Sequence, residues 1–453
     1  MKKIAIFFLC FCLFAGLLAI PVLAAAPEMG SSSGLDSESA IVEGQIITNA
    51  TAAIVYEMNS DTMLVAQNID VKMYPASLVK VMTALLAIEN RNLDGTATVA
   101  KEALSAASGS TSVGLQAGEQ LTVRELVYCM LTGSGNDAAA AIAIHIGGSI
   151  ERFVAMMNSR AEELGCKDTH FVDPHGISSK DQYTTARDMA RIFSAAAEYD
   201  EFREIFGAVR HTVPVTEHSP ERELKSANYM MDKNSPSYYD SRVTGGRTGV
   251  AGDRSRCLGV LASSGNMEAI AIVFGAKSQF AADGYTVEKY GGFKEISQLL
   301  NATISHYRIA QVFYEGQILA QRPVANGDND LVLGPSGMQT VIIPQNIDIS
   351  DIEYRFTDTG RVYSAPIAQG SVQGAVEVWY GGKCLATVDL LARNDVAVAS
   401  SKLVTLPSVG GFGFGIIILA VIFVLALGFI LHRRRVLARR RRAERRRRDR
   451  RSR

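Results

Sequence analysis

Two reactive side chains, Ser77 and Lys80, stand three residues apart at the start of an apolar run. The run Val79–Glu89 is typical of a mostly buried helix, and Pro75 suits the entry into a first turn. Side chains at this spacing share one helix face. A lysine desolvated by apolar neighbours is readily neutral and takes the proton of a serine. The pair therefore predicts a nucleophile with its own base, close to helix N–H groups that stabilise an oxyanion.

Ser-x-x-Lys alone is a weak signal, because a surface serine one turn from a surface lysine gives the same pattern. Two more short motifs follow in order, Ser134-Gly135-Asn136 and Arg247-Thr248-Gly249. The Ser-x-Asn pattern recurs at Ser226-Ala227-Asn228 and Ser264-Gly265-Asn266, but only the copy at Ser134 lies in a polar break between two apolar helices. We therefore assign the second motif to Ser134.

Strands at both ends of residues 45–305, with helices between them, predict an α+β domain in which an antiparallel sheet is packed by helices. The first two strands flank Asn59-Ser60-Asp61, and the last two are joined through Ser264-Gly265-Asn266. Thr122-x-x-Glu125 is a capping box that begins a helix between them. The polar segment 208–241 is expected to be irregular.

Residues 306–396 have short β-rich segments with Gly-containing turns, which predict a small β-sandwich domain. After a linker at 397–409, residues 410–431 carry no charge and are long enough to cross a bilayer as a helix. The positive-inside rule places the arginine-rich tail, 432–453, in the cytoplasm and the body of the protein outside. The β-rich domain is then a spacer next to the membrane.

Residues 1–26 have the basic start, apolar middle and small-residue end of a secretory signal peptide; a retained anchor helix is the alternative. Residues 27–44 are expected to be a flexible lead-in. The zero net charge hides an asymmetry, because the tail holds 14 arginines while residues 27–409 hold 44 acidic and 30 basic residues. An acidic body argues against nucleic-acid binding, and we interpret the tail as an orientation anchor on anionic lipid.

Cysteines and histidines give no sign of a metal site or a cofactor. His170 and His175 lack a His-Glu-x-x-His context and an obvious third ligand, so we interpret them as structural. The cysteines show no Cys-x-x-Cys spacing and are interpreted as mostly buried free thiols, with one disulfide left open. The cysteines of the mature body are Cys129, Cys166, Cys257 and Cys384.

Taken together, the three motifs resemble those of the serine D-alanyl-D-alanine carboxypeptidases, the low-molecular-mass penicillin-binding proteins. The resemblance extends to Thr169–Gly176, to Thr184–Ala190 and, for the family's C-terminal domain, to Ala365–Gly374. It covers about residues 45–396. It implies a β-lactamase/transpeptidase-like domain and an enzyme that removes the terminal D-alanine from peptidoglycan stem peptides through an acyl-enzyme, with β-lactams as inhibitors.

The resemblance implies a role for each residue of the first two motifs. Ser77 is the nucleophile that forms the acyl-enzyme, and Lys80 is its base. Ser134 relays a proton, and Asn136 holds the substrate amide.

The third motif is implied to be an edge strand on the opposite wall of the site. Arg247 and Thr248 meet the terminal carboxylate of the substrate, with Gly249 beside them, and the N–H groups of Ser77 and Val250 form the oxyanion hole. The family usually has lysine where this chain has Arg247. A guanidinium keeps the positive charge and binds a carboxylate bidentately.

Two other functions stay open from the sequence. A β-lactamase uses the same scaffold, but there is no convincing Glu-x-x-x-Asn between the second and third motifs to position a deacylating water, and a β-lactamase does not need the β-rich domain. A non-catalytic sensor or scaffold that binds wall peptide or penicillin without turnover is the second alternative. Turnover of a D-Ala-D-Ala peptide separates these functions.

Overall fold

The computed structural model describes residues 34–36, 48–90, 92–177, 181–251, 255–282, 287–399 and 412–449. These residues form two compact units. The predicted signal peptide lies outside the described residues, as does most of the predicted linker. The first unit contains the chain up to Glu315 with Gly337–Arg355 and Glu377–Thr387, and the second contains Gly316–Ser336, Phe356–Val376 and the chain from Val388 onward.

The strands fall into several sheets, and the five-stranded sheet of the first unit carries the candidate site. The strands are β1 (Ala52–Glu57), β2 (Thr62–Gln67), β3 (Thr96–Thr98), β4 (Gln120–Thr122), β5 (Arg210–Val213), β6 (Arg222–Lys225), β7 (Val243–Val250), β8 (Arg256–Ser264), β9 (Met267–Ala276), β10 (Gln279–Phe280), β11 (Val287–Lys289), β12 (Tyr307–Phe313), β13 (Ala320–Arg322), β14 (Val324–Ala325), β15 (Leu331–Pro335), β16 (Gln339–Pro344), β17 (Glu353–Phe356), β18 (Tyr363–Ser364), β19 (Val372–Tyr380) and β20 (Lys383–Ala392).

The helices belong mostly to the first unit. The α-helices are α1 (Val79–Glu89), α2 (Lys101–Ala106), α3 (Val123–Leu131), α4 (Asn136–Gly147), α5 (Ile150–Glu163), α6 (Ala186–Ala197), α7 (Asp200–Phe206), α8 (Phe293–Ala302) and α9 (Phe412–Asp449).

The main sheet of the first unit is antiparallel, with the strand order β2-β1-β9-β8-β7. The predicted hairpins are both confirmed, as β1–β2 and β8–β9. Strand β1 pairs with β9, with Ala52 opposite Phe274, so the first and last strands of this sheet in chain order are neighbours in its middle. Strand β7, which carries the third motif, is left at the edge.

Both faces of this sheet are covered. Ile54 and Ile272 point into a core built with α1 and α3 to α7, whereas Val55 and Val273 point into a second core with α8. A sheet covered on both faces explains why β9 reads as an almost continuous apolar run instead of an alternating one. The prediction of an antiparallel sheet packed by helices is confirmed.

Helix α1 is the central helix of the larger core, and its residues are buried from Val79 to Ile88. A helix that is apolar all round is expected to be enclosed on every side. Lys80 and Thr83 are its buried polar residues, both at 0% exposure. Because a buried polar group is costly without a partner, these two side chains must find acceptors inside the protein.

The polar break between α3 and α4 is present where it was predicted. Thr122 caps α3 by accepting a hydrogen bond from the backbone N–H of Glu125 at 3.1 Å. Helix α3 ends at Leu131, and α4 begins at Asn136. The loop between them therefore presents the second motif beside α1.

Two segments differ from expectation. The stretch 208–241 contains the β5–β6 hairpin and a 3-10 turn at Tyr229–Met231, because its short strands pair with each other despite their polar composition. Part of the lead-in expected to be flexible is docked: Leu35 is buried in the larger core, and Arg191 Nη2 donates to Asp36 Oδ1 at 2.6 Å.

In the second unit, β13, β15 and the end of β20 are neighbours in one antiparallel sheet. Leu331, Leu333 and Leu390 are buried on these strands. In α9 the structure describes the side chains of residues 418–437. Among the residues described in this way, no single helix is long and apolar enough to cross a bilayer.

Candidate active site

Ser77 lies in a tight 3-10 turn, Ala76–Leu78, immediately before α1. Ala76 has a φ of 46°, a left-handed conformation that costs energy for a residue with a Cβ. Two glycines crowd the turn. A Cβ on Gly249 would lie 2.9 Å from Ser77 N, and one on Gly176 would lie 2.0 Å from Ala76 O. Only glycine lets both segments approach Ser77 and its neighbour this closely.

The Lys80 amine lies beside the Ser77 hydroxyl, as the sequence predicted. Its Nζ is 3.3 Å from Ser77 Oγ, and it donates to Asn136 Oδ1 at 2.5 Å and to the His175 carbonyl at 2.8 Å. Burial, and then the positive charge of Arg247, hold the pKa of Lys80 well below its ordinary value. The lowered pKa favours the neutral amine, which is the form that accepts a proton.

The second motif supplies two side chains to the same place. Ser134 has a φ of 63°, which turns the loop sharply before α4. Asn136, predicted to hold the substrate amide, directs its side-chain oxygen to Lys80, and its N–H donates to Thr111 O at 2.9 Å. Asn136 is therefore placed against Lys80 through its side-chain oxygen, and its side-chain nitrogen, Nδ2, remains for another partner.

Arg247 of the third motif is 3% exposed and contacts the second motif directly. Its Nη1 donates to Ser134 Oγ at 2.9 Å and to the Leu131 carbonyl at 2.8 Å. Its Nε is buried and has no partner. Burial lowers the pKa of Arg247 to about 10, so the guanidinium is still charged at neutral pH. A buried cation with an unused N–H is suited to receive an anionic group.

The rest of the third motif follows along the edge strand. Thr248 is half-buried, Gly249 is buried against the Ser77 turn, and Val250 is 53% exposed at the end of β7. Beneath them, the Cys257 thiol donates to the Pro75 carbonyl at 3.3 Å. Burial raises the pKa of this thiol to about 12, so it is not a nucleophile.

The four cysteines between residues 27 and 409 are free in the structure. Cys129, Cys166 and Cys257 are buried and Cys384 is exposed, which confirms the interpretation as mostly buried thiols. His175 is buried with its Nδ1 at 3.0 Å from Asp173 Oδ1. Within the part of the chain that the structure describes, no group of three or more His, Cys, Asp or Glu side chains is placed to hold a metal ion.

The turn that contains Asp173 and His175 contributes to the site in a way that the sequence did not indicate. The residue types predict only a structural histidine at His175, whereas its main-chain oxygen accepts a hydrogen bond from Lys80. Every residue has a backbone carbonyl, so the residue type does not indicate which carbonyl accepts a hydrogen bond. The only available signal was the string Asp173-Pro174-His175-Gly176, which combines a turn-forming carboxylate with proline and glycine.

Comparison with known families identifies the catalytic unit. Residues 39–278 match the D-alanyl-D-alanine carboxypeptidase family of peptidases. The chain belongs to this family. All three motifs lie within the matched residues, and residues 307–398 match a second family, the C-terminal domain of penicillin-binding protein 5.

Individual carboxypeptidases of the family are similar over most of the chain. The D-alanyl-D-alanine carboxypeptidase DacF of Bacillus subtilis is 27% identical over 360 residues, which is 78% of this chain and 88% of the relative. DacC of Escherichia coli is 28% identical over 77% of this chain and 84% of its own length. A D-alanyl-D-alanine carboxypeptidase of a Streptomyces species is 31% identical over 54% of this chain and 89% of its own.

Solved structures give the same carboxypeptidase fold. The crystal structure of penicillin-binding protein 5 from Haemophilus influenzae matches 78% of this chain and 98% of its own, with a TM-score of 0.62 and 27% identity. That of the carboxypeptidase DacD from Francisella tularensis matches 82% of this chain with a TM-score of 0.64; at 21% identity it supports the fold alone.

Proposed function

We propose that this carboxypeptidase is a serine enzyme that removes the terminal D-alanine from peptidoglycan stem peptides, with Ser77 as the residue acylated by substrates and by β-lactams. The observation that carries the assignment is the contact between Ser77 Oγ and the fully buried Lys80 amine. A buried amine kept neutral next to a hydroxyl is an activated nucleophile.

The proposed reaction has two halves. Neutral Lys80 takes the proton of Ser77 while the serine oxygen attacks the carbonyl carbon of the penultimate D-alanine. The N–H groups of Ser77 and Val250 stabilise the oxyanion. Ser134 passes a proton to the nitrogen of the leaving D-alanine as the peptide bond breaks and regains one from protonated Lys80, which returns to the neutral amine. Water then hydrolyses the ester and restores the serine.

The third motif is proposed to bind the free carboxylate at the end of the substrate. Arg247 offers a buried positive charge with an unpartnered Nε, and Thr248 lies next to it on the edge strand. Gly249 leaves the space between the strand and the Ser77 turn. An amide or an extended peptide at this end of the substrate lacks the charge that Arg247 would pair with.

The experiment that tests this function uses the purified protein with a diacyl-Lys-D-Ala-D-Ala peptide. We expect steady release of D-alanine, its suppression by a fluorescent penicillin, and a penicillin adduct located by mass spectrometry on the peptide containing Ser77. The matched control is Ser77→Ala, which should lose both. Penicillin labelling without D-alanine release would indicate a non-catalytic binding protein, and rapid release of hydrolysed penicillin would indicate a β-lactamase. Labelling that persists in Ser77→Ala would refute the assignment of Ser77 as the acylated residue.

The membrane attachment is also part of the proposal. Residues 410–431 are uncharged, α9 runs through this stretch, and the described apolar side chains from Ile418 to Leu431 are exposed. Apolar side chains exposed around a whole helix are suited to lipid. The arginines from 433 onward would then lie in the cytoplasm on anionic lipid, with no role for nucleic acid.

A chain ending at Pro407 is expected to be secreted, soluble and active, because everything needed for catalysis precedes it. Protease added to intact cells should digest the body of the full-length protein and spare the arginine tail. The full-length protein, fractionated in parallel, is the control. Recovery of the shortened protein only with membranes would show that a second attachment exists.

A further inference from the structure

The turn 173–177 is organised by one carboxylate. Asp173 Oδ1 accepts hydrogen bonds from the backbone N–H of His175 at 3.0 Å and of Gly176 at 2.5 Å, and it pairs with His175 Nδ1 at 3.0 Å. An acidic side chain that accepts from the backbone two and three residues ahead fixes the peptide planes between them. Asp173 therefore determines where the His175 carbonyl points.

The same turn is attached to the segment that carries the nucleophile. Thr83 Oγ1 on α1 donates to the Pro174 carbonyl at 2.6 Å, and Tyr74 OH donates to the Gly176 carbonyl at 2.7 Å. Between these two bonds, Lys80 Nζ donates to the His175 carbonyl. Three successive carbonyls thus face α1 and its entry, and the middle one holds the catalytic amine.

This contact decides how a neutral lysine is oriented. An uncharged amine has two N–H donors and one lone pair. With its donors directed to Asn136 Oδ1 and the His175 carbonyl, the lone pair of Lys80 is left facing the third neighbour, Ser77 Oγ. Loss of either acceptor would let the amine rotate and aim the lone pair away from the serine proton.

We propose that Asp173 is a positioning residue for acylation, whose carboxylate fixes the His175 carbonyl that orients Lys80 and whose negative charge offsets that of Arg247 at the amine. The inference rests on the proposed function of Ser77 and Lys80. It assigns Asp173 no contact with the substrate or the reacting atoms.

The charges that face Lys80 come from three elements. Burial and Arg247 on β7 lower the pKa of Lys80, while Asp173 in the turn and Asp137 on α4 act in the opposite direction. The His175 ring pairs with Asp173 through Nδ1. Burial raises the pKa of Asp173, but the bonds from His175 and Gly176 outweigh it and leave the pKa lowered. Asp173 is therefore an anion at neutral pH.

Two substitutions separate the geometric effect from the charge effect. Asp173→Asn removes the charge and keeps an oxygen that accepts from the turn, whereas Asp173→Ala removes both. Without the anion, the protonated form of Lys80 is less stable, so the pKa of Lys80 falls. The acylation rate decreases at low pH because Lys80 becomes protonated, and this part of the pH–rate profile, the acid limb, should move to lower pH. Both variants should show this shift, but only Asp173→Ala should also lose its plateau rate, by roughly tenfold, as expected for broken hydrogen bonds to a charged group.

The readout is the rate of acylation by a fluorescent penicillin measured across pH, since it does not require peptide turnover. The control is Asp168→Asn, which removes a half-exposed carboxylate paired with Lys72 and should leave the profile unchanged. An acid limb that stays in place in both Asp173 variants, or moves to higher pH, would overturn the proposal. An equal loss of plateau rate in Asp173→Asn and Asp173→Ala would overturn the part of the proposal in which Asp173 fixes the position of the His175 carbonyl.

A second measurement keeps the inference independent of catalysis. In a Ser77→Ala background, the titration of Lys80 is followed by NMR of labelled lysine, with and without Asp173→Asn. A lower Lys80 pKa in the double variant is the expected result, and an unchanged one would contradict it. Absence of D-alanine release from the wild-type protein would instead refute the proposed function, so the two failures are distinguishable.

Discussion

Lys80→Arg is expected to slow acylation of Ser77 by roughly 10²- to 10⁴-fold, the range that a positioned general base contributes. An arginine keeps the positive charge but does not deprotonate near neutral pH. Lys80→Met removes the amine with little change in side-chain length and should be equally slow. The measurement is single-turnover labelling with a fluorescent penicillin, and near-normal rates in both variants would mean that the base is elsewhere.

The same variants test whether Lys80 is neutral in the folded protein. Its folded pKa is held well below the value of about 10.4 for an exposed lysine. Between those two values the unfolded chain binds the extra proton, so the stability of the wild type should rise with pH up to about 10.4. Lys80→Met should lack this increment. A difference in unfolding free energy between wild type and Lys80→Met that does not change with pH would show that Lys80 is charged when buried.

Arg247→Gln is expected to reduce the specificity constant for the D-Ala-D-Ala peptide by roughly ten- to a hundredfold. The loss of a charge-assisted hydrogen bond costs about 1.5–3 kcal/mol, and a carboxylate left unpaired costs more. Arg247→Lys should retain activity because it keeps the charge. A peptide whose terminal carboxylate is amidated should be a poor substrate for the wild type and lose little more with Arg247→Gln.

The structure gives Arg247 a second effect that this experiment must separate. Its charge lowers the pKa of Lys80, and its Nη1 holds Ser134. Arg247→Gln should therefore also move the acid limb of the profile to higher pH for every substrate. Comparison on the plateau, where Lys80 is neutral in both proteins, isolates the carboxylate. Equal plateau losses for the free acid and its amide would assign Arg247 to the Lys80–Ser134 proton network instead of substrate binding.

The sequence by itself determined the parts of the site that depend on local spacing. Ser77 and Lys80 lie close together because three residues make nearly one helical turn, and the apolar composition of α1 predicts that the helix is buried. The start of α3 at Thr122 and the polar break at Ser134 were equally local. Thr122 caps the helix as predicted, whereas the Glu125 carboxylate of the predicted capping box bonds His211 instead. The family motifs then allowed Arg247 to be placed on the opposite wall, which the structure brings within 2.9 Å of Ser134.

Only the tertiary structure decided how the Lys80 amine is held and how its pKa is shifted. The carbonyl of His175 reaches Lys80 across 95 positions of the chain, and a main-chain oxygen is the same in every residue type. The pairing inside 208–241 and the burial of Leu35 likewise depend on surfaces built by distant segments. The pKa of Lys80 is lowered by burial and by Arg247, both of which exist only once α1 and β7 have packed together. Sequence spacing fixed which groups could react, whereas long-range packing fixed their orientation and protonation.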